Sequence, residues 1–416
     1  MRSGKPPQSR HYDAAEANDR AAVCFANGQL EQALTLNLLA LRQAPSPAVH
    51  NRQSAILFGL ARYAGALAAA GRALKQNPNY LEALYNKSQA LMAIGNTTEA
   101  LAVMEALTLR APSNPTIGYA LSLQRLRAGN YSPETWRFFD YRLILGKAHA
   151  DLATLGIWRG EDISQKTLLV HAEEGLGDTI QFSRFIPLVA HHAARVIVAV
   201  PSPLVRWLDG LPGIDQIVAT GLPLPPFDVL CPLLSLPAIL GAGLQTIPTP
   251  HPHLRRPNAP PGDPLRVGLV WQGASRLQDD RHRSINPAEL AALAGIQHVQ
   301  FFSLQMHEPK PPCLPNALAA TDLMAGTLDI LDTAQRLRDV DLVIAVDTAV
   351  AHLAATLGKP VWLLSRQHGC WRWLTDRRDS PWYPGLTIYR QETAGDWQPV
   401  LQQIRADLIA YQRAGA

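Results

Sequence analysis

The sequence is poor in cysteine and has no cysteine pair at the spacing of a metal site. Its four cysteines (Cys24, Cys231, Cys313 and Cys370) lie far apart, and none forms a Cys-x-x-Cys motif. This distribution argues against a structural zinc site and against a disulfide framework, and it is typical of a reducing cytosol. Because no Asp-x-Asp motif follows a predicted strand either, no metal site is predicted.

No stretch of the chain has the pattern of a membrane span or of an export signal. The most apolar stretch, residues 222–244, contains five prolines and Asp228, which makes it a poor membrane helix. Residues 1–10 are polar, and no apolar segment of the signal-peptide type follows them. We therefore expect a cytoplasmic protein without a transmembrane segment.

Charge of either sign is also scarce. Charged residues make up 17% of the 416 residues, and the formal net charge is only +4. Nucleic-acid binding normally needs a concentrated basic face, so nucleic acid is not expected as a partner. Apolar residues reach 47%, an ordinary proportion for a globular protein, and the length predicts two or three domains.

The first third of the chain repeats itself at steps of 33 and 34 residues. Alanines followed by leucine recur at these steps, and so do prolines: Ala33, Ala66 and Ala100, then Pro45, Pro78 and Pro112. Small residues where helices touch, with proline closing each unit, resemble the tetratricopeptide repeat; a plain helical bundle with accidental spacing is the alternative. We predict a tetratricopeptide-repeat domain over residues 11–145, in which the aromatic-rich Trp136–Arg142 caps the stack.

The remainder alternates short apolar runs with helical patterns, which predicts two α/β domains. The first spans residues 146–250, and prolines crowd residues 251–264, which predicts a linker. The second spans residues 265–416, and its last helix, residues 397–411, is expected to cross back onto the first domain. The predicted strands cover residues 167–171, 195–200, 216–219 and 229–231 in the first domain, and 266–271, 299–304, 342–346 and 361–364 in the second.

The second α/β domain contains a strand that turns directly into a helix. Residues 342–346 form a continuous apolar run, and helix-forming residues follow from Ala349 onward. Such a helix directs free N–H groups and its positive dipole end into a crevice, where phosphates bind. Asp347, Thr348 and His352 lie near that tip, so we predict an anion site there. The alternative is that Asp347 caps the helix and His352 packs inside.

A second strand–turn–helix pattern follows residues 167–171. Gly175 and Gly177 allow a tight turn and a close approach of the backbone to a ligand. Asp178 lies near the start of the helix, where a carboxylate is also a good cap. Each α/β domain is therefore predicted to present polar residues at the carboxyl end of a strand.

Several motifs occur here in the order found in heptosyltransferase-like family 9 glycosyltransferases, which this part of the chain resembles. The motifs are residues 174–182, 346–353, 358–362, 371–374 and 380–384. The whole chain resembles bacterial proteins that join tetratricopeptide repeats to such a transferase domain. The resemblance implies a helical repeat solenoid followed by a GT-B fold, which is a pair of Rossmann-like α/β domains facing each other across a cleft. The first domain of the pair would take the acceptor and the second the nucleotide sugar.

The activity implied by this resemblance is the metal-independent, inverting transfer of a sugar from a nucleotide sugar to an acceptor, without a cofactor. An aspartate in the Gly-Asp step of the relatives activates the acceptor, and it corresponds to Asp178. Glu173, Glu174 and His171 in the same loop are rival bases, and a role for Asp178 as a helix cap is compatible with catalysis. Gly175, Gly177 and Gln181, with Glu174, complete the predicted acceptor loop.

For the donor, the resemblance assigns the Asp-Thr-x-x-x-His motif to Asp347, Thr348 and His352, with Ala349 beside them. The loop after Trp271 contributes Gly273, Arg283 and Ser284, where Arg283, or alternatively Arg281, would neutralise a phosphate. Gln305, at the end of the next strand, is expected to meet the base or the ribose. Relatives often have asparagine where Ala274 stands, so a side-chain contact is lost there.

Two questions stay open at this stage. The aromatic residues Trp371, Trp373, Trp382 and Tyr383 either stack on a ligand or pack a loop against its domain. The acceptor is a protein, such as flagellin, or a surface glycan, and the repeats would bind the acceptor or a partner in their concave groove. The alternative to an enzyme is a binding scaffold with a degenerate transferase fold. The altered segment around residues 366–370 and Ala274 favour that alternative.

Overall fold

The computed structural model describes residues 12–146, 156–250, 263–273, 280–306 and 316–413. The chain divides into two compact units, residues 1–124 and 125–416. Residues 125–145, which the sequence places with the repeats, group with the α/β region. Most of the predicted linker, residues 251–262, lies outside the described residues.

Seven consecutive helices follow from the repeat pattern, the last of which runs on into the second unit. They are α1 Ala14–Ala26, α2 Leu30–Gln43, α3 Pro47–Gly59, α4 Tyr63–Gln76, α5 Leu81–Ala93, α6 Thr97–Arg110 and α7 Pro115–Arg127. Each helix from α1 to α5 packs against the next one, and the repeated alanines are buried at these contacts. Ala33, Ala66 and Ala100 are each fully buried, which confirms the tetratricopeptide-repeat prediction at these positions.

A buried hydrogen bond recurs at the same position of successive repeats. The Ser54 hydroxyl donates to the Ala66 carbonyl at 2.8 Å, and the Ser88 hydroxyl donates to the Ala100 carbonyl at 2.7 Å. Each bond joins the first helix of a repeat to the second. Because a buried hydroxyl is costly without a partner, this bond specifies the register of the two helices.

The turn between the two helices of a repeat needs a left-handed residue. Gly28 and Gly95 take φ values of 74° and 88° there, at no steric cost. In the second repeat the position is occupied by Ala61, with φ 56°. A residue with a side chain in this region carries a cost of roughly 1–2 kcal/mol.

The aromatic segment expected to cap the repeats makes its contacts inside the α/β unit. It forms α8, Pro133–Phe139, and α9, Arg142–Leu145. The Trp136 indole N–H donates to the Ala242 carbonyl at 2.9 Å, and Arg142 forms a buried ion pair with Glu173. The expectation missed this because the sequence shows an apolar surface but not its partner.

The N-terminal lobe of the larger unit is a four-stranded parallel sheet in the order β3-β2-β1-β4. Its strands are β1 Ile163–His171, β2 Ala193–Val200, β3 Gln216–Ala219 and β4 Val229–Pro232. Its helices are α10 Leu176–Phe182, α11 Ile186–Val189, α12 Val205–Leu208 and α13 Leu236–Ile239, with 3-10 turns at Ser183–Phe185, Ser202–Leu204 and Leu233–Ser235. All four predicted strands are confirmed.

The C-terminal lobe is a seven-stranded sheet in the order β10-β11-β9-β8-β5-β6-β7, parallel except between β10 and β11. Its strands are β5 Leu265–Val270, β6 Val299–Ser303, β7 Thr321–Asp322, β8 Leu342–Val346, β9 Val361–Ser365, β10 Asp379–Ser380 and β11 Tyr383–Arg390. Its helices are α14 Asp280–Arg283, α15 Ile330–Arg336, α16 Ala349–Thr356 and α17 Gln398–Arg413, with 3-10 turns at Pro287–Leu293, Asn316–Leu318, Leu337–Asp339 and Trp371–Trp373. The four predicted strands are confirmed, and β7, β10 and β11 were not predicted.

The last helix, α17, does not pack on the N-terminal lobe as predicted from the sequence. Instead of crossing to the N-terminal lobe, α17 packs on the C-terminal sheet, where Leu401 and Ile404 share a core with Leu265 and Ile344. Arg405 fixes the helix by donating to backbone carbonyls of the same lobe. The apolar face of α17 is satisfied locally, because β5 and β8 leave one side of the sheet to be covered.

Both sheets have strand orders that reverse direction at one point. In the N-terminal lobe the reversal falls between β1 and β4, and in the C-terminal lobe between β5 and β8. Ligands of open α/β sheets bind in the crevice beyond the carboxyl ends of the strands at such a point. The two lobes form the expected GT-B pair of Rossmann-like domains.

The lobes meet in a shared aromatic core. Trp371 and Trp382 of the C-terminal lobe pack against Phe182 of α10, with ring centroids 6.5 and 5.5 Å apart. Tyr131, which precedes α8, packs on both tryptophans and accepts a hydrogen bond from the Trp382 indole at 3.1 Å. Trp136 also contacts Trp371. The tryptophans are buried, so packing rather than ligand stacking is the role that the structure gives them.

Candidate functional site

One cavity of about 680 Å³ lies between the two lobes and opens beyond the carboxyl ends of their strands. The structure brings ten of the predicted site residues to its wall: Gly175, Gly177 and Asp178 from the N-terminal lobe, and Gly273, Arg283, Gln305, Asp347, Thr348, Ala349 and His352 from the C-terminal lobe. Glu174, Gln181 and Ser284 were also predicted, but they do not line it. The volume falls in the ordinary range of small-molecule sites.

The tip of α16 reaches the cavity without a side-chain cap. Thr348 occupies the N-cap position with extended backbone, and its hydroxyl donates to the Val346 carbonyl at 3.1 Å instead of accepting from the helix. The first N–H groups of an α-helix have no partner within the helix, so they remain available to an anion. The alternative in which Asp347 caps this helix is not what the structure shows.

Asp347 instead forms part of a small polar cluster with His352. The imidazole Nε2 lies 3.7 Å from a carboxylate oxygen of Asp347, and Nδ1 lies 2.9 Å from the Tyr383 hydroxyl. The ring stacks on Trp373, with centroids 5.2 Å apart. His352 is therefore largely packed inside, as the alternative proposed, while it also lines the cavity.

The charge on Asp347 is strongly favoured. Burial alone would raise its pKa, but His352, Trp373 and the Arg283 guanidinium outweigh burial and lower the pKa to about 2. Burial raises the pKa of the Tyr383 hydroxyl to about 12, so this hydroxyl stays protonated at neutral pH. Asp347 therefore holds a fixed negative charge at the edge of the helix tip.

Asp178 faces this tip from the other lobe, and both of its carboxylate oxygens have partners. One accepts from the Gly175 N–H at 3.0 Å, which caps the first turn of α10. The other forms an ion pair with Arg372 of the C-terminal lobe. The cap and the position at the cavity coexist, as expected, but the ion pair was not predicted.

Arg372 is a charged residue of the cavity wall that sequence reasoning did not assign to the site. Its Nε donates to the Gln181 side chain at 2.5 Å, and Nη1 donates to the Cys370 sulfur at 3.2 Å. Burial opposes its charge, but the Asp178 carboxylate outweighs burial and raises the pKa of Arg372 above its ordinary value. The only signal in the sequence was its position between two tryptophans in one of the family motifs.

The donor-side loop is held by hydrogen bonds to the backbone. Arg283 lines the cavity and donates through Nη1 to the Asp347 carbonyl at 2.8 Å, next to the helix tip. Ser284 accepts from the Gly273 N–H at 3.1 Å and so shapes the loop. Gln305 accepts from the N–H groups of Trp271 and of the following residue, so its amide supports the end of β5.

The rival bases have different surroundings. Glu173 is buried against Arg142 and accepts from the Leu234 N–H, which makes it a structural ion-pair residue. Burial raises the pKa of Glu174, and the neighbouring Asp178 and Glu173 carboxylates raise it further. His171 is the last residue of β1. Among these carboxylates, Asp178 is the one that lines the cavity.

Gly177 lies where the backbones of the two lobes come close together at the site. A methyl group placed on it would lie 2.9 Å from Cδ2 of His352 and 3.4 Å from Cα of Ala349. Only a residue without a side chain lets the tips of α10 and α16 meet at this distance. The glycine therefore sets the width of the cavity at this end.

Two features bear on the remaining predictions. Among the described residues, no group of three or more His, Cys, Asp or Glu side chains is arranged to hold a metal ion. No helix in the described ranges is both long and apolar enough to cross a membrane. Ala274 and the side chain of Arg281 lie outside the described residues.

Two family models match the chain, one in each half. Residues 57–123 match the tetratricopeptide repeat, and residues 299–373 match glycosyltransferase family 9 (heptosyltransferase). The chain therefore joins tetratricopeptide repeats to a glycosyltransferase family 9 domain. The second match includes β8, the tip of α16 and Arg372.

A curated relative matches along almost the whole chain. It is Protein FlbA of Caulobacter vibrioides, which is 24% identical over an alignment of 454 residues. The alignment covers 96% of this chain and 73% of that protein.

Several solved structures that resemble the chain are repeat proteins. MamA from Desulfovibrio magneticus RS-1 is 24% identical over 32% of this chain and 75% of that chain, with a TM-score of 0.28. A thermophilic tetratricopeptide-repeat protein of Thermus thermophilus is 18% identical over 32% and 75%, with a TM-score of 0.30. The second repeat domain of human RPAP3, in complex with an HSP70 peptide, is 19% identical over 27% and 94%, with a TM-score of 0.26. Likenesses of this size say nothing about function.

Proposed function

We propose that the protein is a glycosyltransferase that moves a sugar from a nucleotide sugar to a protein or surface-glycan acceptor in the cytoplasm. The transfer would be inverting and would need neither metal nor cofactor. The observation that carries this proposal is the shared cavity, whose wall contains both an uncapped helix tip and the carboxylate of Asp178. The match to glycosyltransferase family 9 supports the reaction class.

The leaving diphosphate would bind at the tip of α16. Its oxygens would accept from the free N–H groups after Thr348, in the favourable field of the helix end. Arg283 is tethered beside this tip and adds a positive charge. Because charge develops on the diphosphate as the bond to the sugar breaks, donors fixed in advance stabilise the transition state more than the ground state.

The acceptor hydroxyl would lose its proton to Asp178. The carboxylate lines the same cavity as the helix tip, so the acceptor hydroxyl that it activates would attack the sugar carbon from the face opposite the diphosphate. This arrangement fits inversion by a single displacement. The contacts to Gly175 and Arg372 hold the carboxylate in one orientation.

The repeats would recruit the acceptor or a partner protein. Stacked helix pairs commonly present a concave binding surface, and the buried alanines and serines described above fix such a stack here. A scaffold without turnover is the second candidate, and the observation that favours it is the engagement of both Asp178 oxygens.

The first experiment screens nucleotide sugars for binding. Purified full-length protein is melted with UDP-, GDP-, dTDP- and ADP-sugars, and the true donor at 100 times its Kd is expected to add about 2.7 kcal/mol, or roughly 5–10 °C in Tm. Arg283→Gln should weaken this shift. If none of the four nucleotides produces a shift, the proposal is wrong.

The second experiment separates enzyme from scaffold. Hydrolysis of the bound nucleotide sugar is followed in the wild type and in Asp178→Asn, which keeps the shape of the side chain. In an enzyme, turnover falls steeply in this variant, and the donor-dependent Tm shift remains. Binding of the donor without turnover, in the presence of acceptor protein, would instead establish the scaffold.

A further inference from the structure

Arg372 belongs to one lobe but has its strongest partners in the other. It lies in the 3-10 turn Trp371–Trp373 of the C-terminal lobe, whereas Asp178 and Gln181, which its guanidinium holds, both lie on α10. Only 10% of its side chain is exposed, and that part lines the cavity between the lobes. It is therefore a bridge across the site itself.

The guanidinium has capacity left for a ligand. Of its five N–H groups, one each from Nε, Nη1 and Nη2 is used, by Gln181, Cys370 and Asp178. The Cys370 sulfur is a weak acceptor, so the bond from Nη1 is easily exchanged. A planar guanidinium can hold a carboxylate on one edge and a phosphate on another, which an ammonium group does poorly.

We propose that Arg372 is a positioning residue that binds the donor diphosphate and holds the Asp178 carboxylate at the same time. The inference rests on the proposed function, because it names a further contact of the same site. Donor binding would then fix the base, since the phosphate and the carboxylate share one cation. With one oxygen held by Arg372 and the other by the Gly175 N–H, Asp178 keeps its remaining lone pairs for the acceptor hydroxyl.

A purely structural role is the competing explanation. The guanidinium lies 4.4 Å from the centre of the Trp371 ring and 5.9 Å from that of Phe182, so it also packs into the aromatic core. A residue that only packs affects the Tm and leaves the affinity for nucleotide unchanged in the folded fraction. The positioning role and the packing role can therefore be distinguished by measuring nucleotide affinity and turnover separately in a conservative variant.

The test uses full-length protein and three variants: Arg372→Gln, Arg372→Lys and Arg377→Gln. Arg377 is the matched control, because it is ion-paired with Asp379 nearby in sequence and does not line the cavity. Calorimetry with UDP, GDP, dTDP and ADP gives the Kd of the nucleotide that binds best. Arg372→Gln should raise this Kd at least roughly tenfold, the usual size of a lost charge-assisted hydrogen bond, and the control should change it less than about twofold.

Arg372→Lys separates the two functions of the side chain. Lysine keeps the charge on the phosphate but cannot hold Asp178 and Gln181 together, so Kd should rise less than about threefold while turnover falls at least tenfold. In an Asp178→Asn background the lysine variant should cause no further loss of turnover. This variant also decides the question if Arg372→Gln does not fold.

The outcomes separate this proposal from the one on which it rests. If no nucleoside diphosphate binds the wild type, the proposed function fails and this inference fails with it. If the wild type binds a nucleotide and Arg372→Gln binds it equally well, only the role of Arg372 is overturned. Full turnover by Arg372→Lys, or losses that multiply with Asp178→Asn, would overturn it as well.

Discussion

Replacing Gly177 by alanine should impair the site far more than the fold. The added methyl carbon would lie 2.9 Å from Cδ2 of His352, whereas carbon atoms prefer a separation of about 3.5–4.0 Å. His352 cannot turn aside easily, because Tyr383 holds its Nδ1 and Trp373 stacks on its ring. The tips of α10 and α16 must therefore move apart by several tenths of an ångström.

The expected cost in stability is small. Overpacking of this kind costs about 1–3 kcal/mol, and alanine in place of glycine in α10 returns about 1 kcal/mol in helix propensity. The net loss of about 0–2 kcal/mol corresponds to a fall in Tm of a few degrees. Turnover should fall further, by about tenfold or more, because a displacement of several tenths of an ångström misaligns the reacting groups, and a displacement of about 1 Å costs about a hundredfold.

Gly156→Ala provides the matched control. Gly156 lies in the same unit, and a methyl group on it would have no atom within 4 Å. Thermal unfolding and nucleotide-sugar hydrolysis are measured on both variants and on the wild type. If Gly177→Ala keeps the Tm and the turnover of the wild type, the cavity wall can adjust, and a width set by this glycine is refuted.

Three further substitutions test individual contacts. Asp347→Asn should cost about 2 kcal/mol at pH 7, because a carboxyl with a folded pKa of about 2 stabilises the fold above its unfolded pKa of about 3.9. This stabilisation is lost as the pH falls from about 4 to about 2. Urea unfolding should therefore show that the difference in free energy of unfolding between wild type and variant disappears over this pH range. A difference that stays constant would contradict the low pKa of Asp347. Ala61→Gly should stabilise the protein by about 0.5–1 kcal/mol, because glycine adopts the left-handed conformation at φ 56° without strain. Part of this gain is offset because glycine also increases the conformational entropy of the unfolded chain. A lower Tm would show that the turn is not strained. Glu173→Gln should cost about 3 kcal/mol, since it leaves the buried Arg142 short of charge, and donor binding should survive in the folded fraction. Loss of turnover without loss of Tm or of nucleotide binding would restore Glu173 as a rival base.

Secondary-structure elements were predicted best from the sequence where a local residue pattern was sufficient to define the strand or helix. The continuous apolar run that became β8 and the helix formers that became α16 needed no information from elsewhere, and the glycines after β1 marked their turn. The strand β11 was missed because Pro384 and Gly385 interrupt its pattern at the start. The prediction that α17 packs on the N-terminal lobe was also wrong, since the pattern of an amphipathic helix does not specify which sheet the helix covers.

The same limit applies to the site. Asp178 and Thr348 were predicted because a strand–turn–helix places its own polar residues at the cleft. Arg372 was not, because its partner Asp178 lies 194 positions away along the chain, and only the fold brings the two together. Gln305 was assigned to the ligand, yet its amide supports the backbone at the end of β5, a role that depends on the neighbouring strand.

The aromatic core between the lobes has a consequence for how this chain can be divided. Tyr131 and Trp136 precede the first strand of the transferase region, yet they fill space against Trp371 and Trp382 near its end. A fragment cut where the repeat motif stops would leave these tryptophans facing water. Any transplant of the α/β half onto another repeat domain must therefore include residues 125–145, because this segment, which looks like a connector in the sequence, is part of the core of that half.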